Sequence, residues 1–574
     1  MNIKYSNLAI VSAMAFFISI LSIFHSFKNK KFILFFVCSF GFISVSFAQK
    51  LIYFPPVPKD TSKKKKIEII KSDSLLYQTL ELGKYRKLIG NVQLKHLDAF
   101  MFCDSAIIDI DANYMTAYGK QVHIKKGDSV DVWGNFLEYF GDLKQGRLTG
   151  MCSMRDKTMV LTAPELNYNT ETDLGSYMSG GRVVNKETNI TSAIGYYYHQ
   201  TNTAVFYGDV VLKSPESTIY TDSLRYNTNK EIAYFITKTT IIDKDSNVII
   251  THSGYYDTKE EKAFLGNNAI IKKGDAKVSA QSIDYNKKTK IAIAEGNVTY
   301  QDSSDRTTIL SNYIYSDENN ALVRAYKDPL MITVSEDEKD TMYLSADTLF
   351  SYRTLSTDSI KLNDDIENND SIKIIKAWYR MKMIQGKMSA IADSLFYSEE
   401  DSIFKLYQHP VLWMDSTQIS GDSIYLYNRD KEINRIDVFG KAFIIHLQDQ
   451  DIYHQIKGKF IQAIIKDKKI QHIEVDGNAE SIYFIKDKEG AYSGANKSMS
   501  AFITVSFNDG EVNRLKLTGA PEADFTPIKK ITLSSFRLDG FNWQGNLQPL
   551  TKYDVIRDKQ QYERYISGLR IKEK

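Results

Sequence analysis

The sequence predicts an all-β protein assembled from a repeated unit of short strands. Three observations predict it: period-two alternation of apolar residues, a recurring glycine turn, and a skewed composition. The chain carries 36 Tyr and 30 Phe but only 10 Pro and 4 Trp. Aromatic and β-branched side chains suit a pleated, half-buried surface, so this bias favours strands. In Ile291-Ala292-Ile293-Ala294 and in Asp222-Ser223-Leu224-Arg225-Tyr226 the larger apolar residues keep to one parity, the strand signature. Helical periodicity is nearly absent before Lys552.

From the beginning of the chain, Lys28, Lys30 and Lys31 precede an apolar run from Phe32 to Phe47 that ends in Ser46-Phe47-Ala48. A basic region, an apolar stretch and a small-residue cleavage site together describe a secretory signal. A second apolar run, Leu8 to Phe27, is long enough to span a bilayer. The expectation is therefore a signal peptide with an upstream apolar segment over 1–48. The upstream segment is read either as an anchor or as the product of a start codon placed too early. Cys38 lacks the small residues that precede a lipid-modified cysteine, which argues against a lipoprotein. Residues 49–87, including Lys63 to Lys66, read as a solvated linker.

The repeat comes next. A Gly-polar-apolar turn opening a strand recurs as Gly90-Asn91-Val92, Gly208-Asp209-Val210, Gly296-Asn297-Val298, Gly440-Lys441-Ala442 and Gly477-Asn478-Ala479, with looser copies at Gly119, Gly181 and Gly266. Midway between turns falls a second element: Thr221-Asp222-Ser223-Leu224-Arg225-Tyr226, Ala280-Gln281-Ser282-Ile283-Asp284-Tyr285, Ala392-Asp393-Ser394-Leu395-Phe396-Tyr397 and Gly421-Asp422-Ser423-Ile424-Tyr425 among others. Neighbouring copies lie about 27 to 32 residues apart, a period that marks repeat architectures. Each unit reads as roughly four short strands. The blocks are 88–353 and 374–480, separated by an acidic loop or hinge at 354–373. A terminal β region follows at 481–550, and 551–574 is a charged tail, either a helix or unstructured.

Chemistry is sought without success. The nine histidines never pair at metal-ligand spacing, and there is no H-E-x-x-H, C-x-x-C, G-x-S-x-G or phosphate-cradling glycine loop. The recurring Asp-Ser pairs initiate turns by bonding the local backbone, since a catalytic residue occurs once and these recur. Removing the signal leaves Cys103 and Cys152, enough for one disulfide but no framework. Basic residues number 73 and acidic residues 70, interleaved, so no basic stripe offers itself to nucleic acid. The expectation is a protein that is not an enzyme and has no cofactor, no metal and no nucleic-acid partner.

The Gly-Asn-Val turn followed by Ala-Asp-Ser-Leu-x-Tyr, repeated after a signal, resembles the OstA-like family, which includes the lipopolysaccharide-transport protein LptA and the N-terminal domain of LptD. The similarity covers about Leu88 to Leu349 and more weakly Trp378 to Ala479. It implies an elongated open β-jellyroll of antiparallel strands, in two or more segments given the length of this chain. It also implies a periplasmic carrier or bridge component that shields lipid acyl chains in an apolar groove. Its partners would be lipopolysaccharide (the lipid A acyl chains), other transport proteins joined by edge-strand pairing, and an outer-membrane translocon. Location would be the periplasm, free, outer-membrane associated, or anchored by the N-terminal apolar segment. The amphipathic strand series of an outer-membrane barrel is not found after Gly519. Candidate groove-lining residues are Val92, Leu94, Val183, Val210, Leu212, Ile271, Val298 and Tyr300. Inward residues of any packed β-solenoid look the same, so a structural or adhesin-like solenoid without cargo stays open beside the carrier, as does a polysaccharide lyase on a β-helix.

Overall fold

Alternating apolar residues give every strand one greasy face, and that face must be covered. The protein covers it by folding one long meander against itself. The structure, a computed structural model, describes residues 65–80, 83–335, 340–355, 371–429, 432–508 and 511–572. The expected signal at 1–48 and the acidic run at 356–370 lie outside the described residues. From Lys65 onward the chain forms one unit.

The strand Thr203–Lys213 shows how the repeat works. It pairs antiparallel with Ser217–Asn227 along its whole length, but the register jumps from Tyr207↔Ser223 to Val210↔Thr221. Gly208 and Asp209 thus oppose the single residue Asp222, which is a β-bulge. Both bulged residues have positive φ, 76° and 47°. Glycine takes such a conformation without the clash a Cβ would bring. The same jump recurs at Ile89/Val92, Glu295/Val298 and Phe439/Ala442. Between these continuous strands lie strands split at the same place, such as Leu174–Tyr177 with Gly181–Asn185. Each is one bent strand with two legs.

The glycine motif is therefore not a turn that opens a strand, as the sequence suggests, but a bend in the middle of one. The second motif is its counterpart. Asp73, Gln281 and Asp422 donate their backbone N–H to the carbonyls of Gly90, Gly296 and Gly440 at 2.9, 2.9 and 2.8 Å. The two recurring sequence elements are the facing halves of one corner, and a unit contains four legs.

Throughout the described residues, each bent strand pairs with the one before it and the one after it. The bulges line up, and the meander folds along them into two facing sheets, as strands do when they switch sheets at bulges. Bonds between opposite tips prove the closure. His96 Nδ1 meets the Tyr139 hydroxyl at 2.7 Å, and Lys126 meets Asp173 at 2.8 Å. The residues between form one apolar cluster running from Ile67 to Val505.

Three expectations need correction. Residues 68–71, 74–80 and 83–87, read as linker, are strands that pair with the first repeat. The strands flanking the expected hinge pair directly, from Thr348↔Trp378 to Leu355↔Ser371, so both blocks share one sheet. The terminal β region stops at Pro527. Beyond it the chain turns back over the outer surface as a strap. Leu538 packs on Phe443, Ile445 and Phe484. Helix α1 (Lys552–Val555) and helix α2 (Lys559–Lys572) then place Val555, Ile556 and Tyr562 on Leu310, Leu330 and Ile332. This second burial explains runs such as Leu330-Met331-Ile332, which are apolar on both parities. Cys103 and Cys152 are free and buried, with thiols pushed up by burial to about 12 and about 11.

Candidate functional site

The interior is built from cross-strand rungs. On one sheet, Leu94↔Met101, Met101↔Ile124 and Ile124↔Val132 begin a row. Val183↔Ile190, Ile190↔Leu212 and Ile219↔Ile241 carry it forward. Ile249↔Ile271, Ile271↔Val278 and Val278↔Tyr300 continue it, and Met331↔Leu344 extends it. On the facing sheet, Leu166, Leu224, Ile283 and Leu395 from the second motif point inward, with Tyr168, Tyr226, Tyr285 and Tyr397 two residues on.

All eight candidate residues lie on this inner surface, and their exposure divides them. Val92, Leu94, Val183, Val210, Leu212 and Val298 are at most 1% exposed, packed against their opposite numbers. Ile271 and Tyr300 are only partly buried. On their row Ile249, Ile271, Val278 and Tyr300 are partly exposed between closed rungs, and on the facing sheet Tyr256 and Tyr285 are partly exposed, as Tyr397 and Phe404 are further along. The interior is therefore filled along most of its length and loosens on both sheets between Ile249 and Tyr300, with a second partly open patch at Tyr397 and Phe404.

Polar groups mark the same stretch. Upstream, inward tyrosines are tied down: Tyr139 to His96 and Thr170, Tyr168 to Asp173, Tyr177 to Ser192, and Tyr197 to Asp156. Tyr256, Tyr285 and Tyr300 have no hydrogen-bond partner among the described residues. Burial pushes each of these phenols up to about 12, with nearby Glu261, Glu318 and Asp302 adding to it in turn, so they are neutral donors at physiological pH. None of the three hydroxyls is fully buried, so each is open to solvent or to a ligand. Three free hydroxyls beside open apolar surface can serve a ligand that is mostly apolar with a polar end.

Where the tips of the two sheets meet, a seam of ion pairs closes the fold. Lys186 holds Glu231 and Lys273 holds Glu318, each pair 45 residues apart. At that spacing Glu216 would meet Glu261, a like charge, and it reaches instead to Lys287 at 2.7 Å and to Lys244 at 2.9 Å. Those two lysines hold the Glu216 carboxyl down at about 2. The break in the regular spacing coincides with the loosened interior. Sequence reasoning missed Ile249, Tyr256, Val278 and Tyr285; the Leu-x-Tyr parity of the second motif was the available signal for Tyr285. No group of three or more His, Cys, Asp or Glu among the described residues could hold a metal ion.

Residues 64–222 and 208–279 match the family model described as OstA-like protein, and residues 277–433 match the one described as LptA/(LptD N-terminal domain) LPS transport protein. The chain belongs to the OstA-like family. No curated protein matches it. Among solved structures it is similar to LptH of Pseudomonas aeruginosa, described as the LptA-homologous periplasmic component of the lipopolysaccharide transport device. The two are 16% identical over 23% of this chain and 81% of that one, with a TM-score of 0.18. In this OstA-like chain the family models end at residue 433, whereas the bent-strand repeat runs on through Tyr492–Asn508.

Proposed function

We propose that this OstA-like protein is a periplasmic carrier or bridge component in lipopolysaccharide transport, and that acyl chains enter its interior at the Ile249–Tyr300 stretch. The observation that carries the reading is the partial exposure of Ile249, Ile271, Val278 and Tyr300, four successive members of a row otherwise closed, with Tyr256 and Tyr285 partly exposed on the facing sheet. Each methylene moved out of water gains about 0.8 kcal/mol, so an acyl chain seeks a continuous apolar surface. The rungs supply one on both sides of the stretch, and the sheets must part for a chain to advance along them. The three unpaired tyrosine hydroxyls would meet the ester and amide groups at the polar end of the lipid. Lipid A acyl chains are the cargo, and other transport proteins and an outer-membrane translocon are the partners. The edge strands Ser74–Leu80 and Glu522–Pro527 lie at the two ends of the meander, where pairing with another chain is available.

A photoreactive residue at Ile271, with outward Lys272 as control, tests the reading in cells. Cross-linking to lipopolysaccharide at 271 and not at 272 is the expected result; equal labelling at both, or none, overturns it. The closed rungs elsewhere favour one rival, a structural solenoid held rigid by its own core, and absence of labelling would leave that reading in place.

A further inference from the structure

The outer surface of the second sheet carries a pattern that the interior does not use. Directly opposed residues alternate aromatic and cationic across adjacent strands: Phe350↔Lys376, Lys376↔Phe396, Phe396↔Lys405 and Lys405↔Tyr425. Within this row lies a recess of about 330 Å³ walled by Trp378, Phe396 and Tyr407, with Lys376, Lys405 and Ser394 at its polar side. Trp378 is 42% exposed and leans on Phe350 with ring centres 4.8 Å apart. The two lysines are not equivalent. Lys405 is neutralised by Asp401 at 2.6 Å. The Lys376 ammonium sits over the Tyr352 and Phe396 rings, 5.2 and 5.7 Å from their centres, and has no carboxylate partner among the described residues.

We infer that this recess binds an anionic sugar, a pyranose bearing a phosphate or a carboxylate. The aromatic walls offer flat apolar surface to the C–H face of a sugar ring, while aromatic side chains place that surface at low entropic cost. The unneutralised ammonium takes the anion, and the rings beside it keep the cation desolvated and in place. Ser394 supplies a hydroxyl for a sugar oxygen. Two ammonium groups rule against a purely apolar ligand, and three aromatic walls are superfluous for a bare anion. The site is independent of whatever occupies the interior.

A ligand-observed NMR saturation-transfer titration of the purified protein tests the assignment, with glucosamine 6-phosphate, glucuronate and glucose as separate probes and inorganic phosphate, which has no carbon-bound proton to observe, as a competitor. Saturable binding of the phosphosugar or of the hexuronate, at about millimolar or tighter Kd, is expected. Which of the two binds tells whether a phosphorylated or a carboxylated glycan is the natural ligand. Lys376→Gln should weaken binding at least about tenfold, and Trp378→Ala, a change at an exposed site, should do likewise with an unchanged urea midpoint. No saturable binding, displacement of the bound sugar by an equal concentration of inorganic phosphate, equal binding of uncharged glucose, or variants that lower stability while sparing affinity would each overturn the proposal. The last outcome would make the row a device for holding the sheet together.

Discussion

Gly296 shows what a single position in the repeat must satisfy. Its φ is 73°, and a Cβ placed there would lie 2.3 Å from the Gln281 side-chain oxygen. The Gln281 oxygen can swing aside, but its Cβ, 3.0 Å from the added one, is held in place by the backbone N–H bond from Gln281 to the Gly296 carbonyl at 2.9 Å. Gly296→Ala should therefore cost about 1–2 kcal/mol from backbone strain alone, read as a fall in the urea midpoint. Gln281→Ala in the same chain should recover part of it by removing the clash. The glycine and its partner were legible in the sequence as recurring words, but their role was not. A Gly-Asn pair signals positive φ without saying whether the chain reverses or merely bends. Alternation put the eight candidate residues on one face of their strands but left open which face is inward. Whether the space beyond them is filled was not legible either, since that depends on the opposite sheet. Leu212 and Ile271 look alike in sequence and differ in exposure because different partners face them.

The C-terminal strap is the element that sequence described least well. Charge near the end of the chain announced a helix or a tail and said nothing of the surface it covers. In the fold, α2 delivers Gln561, 3% exposed, to the corner at Val298. Its amide nitrogen donates to the carbonyls of Val298 and Ser311 at 2.9 and 2.8 Å. Nearby, Arg557 bonds Asp347 at 2.5 Å and the Arg380 carbonyl at 2.6 Å. The strap thus ties the corner that adjoins the loosened stretch. Gln561→Ala leaves two buried carbonyls without that donor and should cost about 1–3 kcal/mol. Faster amide exchange confined to the strands Ile291–Asp302 and Thr307–Asp317 would be its signature, with the first repeats unchanged.

For the molecule as a whole, the seam between the sheet tips makes closure depend on pH. Glu216 is held at about 2 by Lys287 and Lys244, below the value of 4.5 for the free side chain. Asp156 and Asp305 are also lowered: burial acts to raise them, and Tyr197 with His199 in one case, and Lys373 with Arg353 in the other, outweigh it. Groups lowered on folding stabilise the closed form fully above the free carboxylate range, and that contribution is lost as pH falls through the folded values. The seam should therefore weaken in acid, between about pH 5 and pH 2. Spin labels at Ser246 and Lys259, on opposite tips beside the break, should move apart over that range, and Glu216→Gln should show the wider separation already at neutral pH. A distance that stays constant with pH would mean that the apolar rungs alone set the closure.

Because every bent strand among the described residues shares its backbone ladder with its predecessor and successor, the architecture has a modular length. A hairpin of two such strands, about thirty residues, could be copied or excised and its neighbours would meet again with the same corner, the same parity and the same rung. Growth by duplication upstream of the corner at Val298 leaves the backbone ladders intact, and the seam pairs between tips are what must be matched again. Reach in this architecture is set by counting hairpins, in the way a ruler is lengthened by adding graduations.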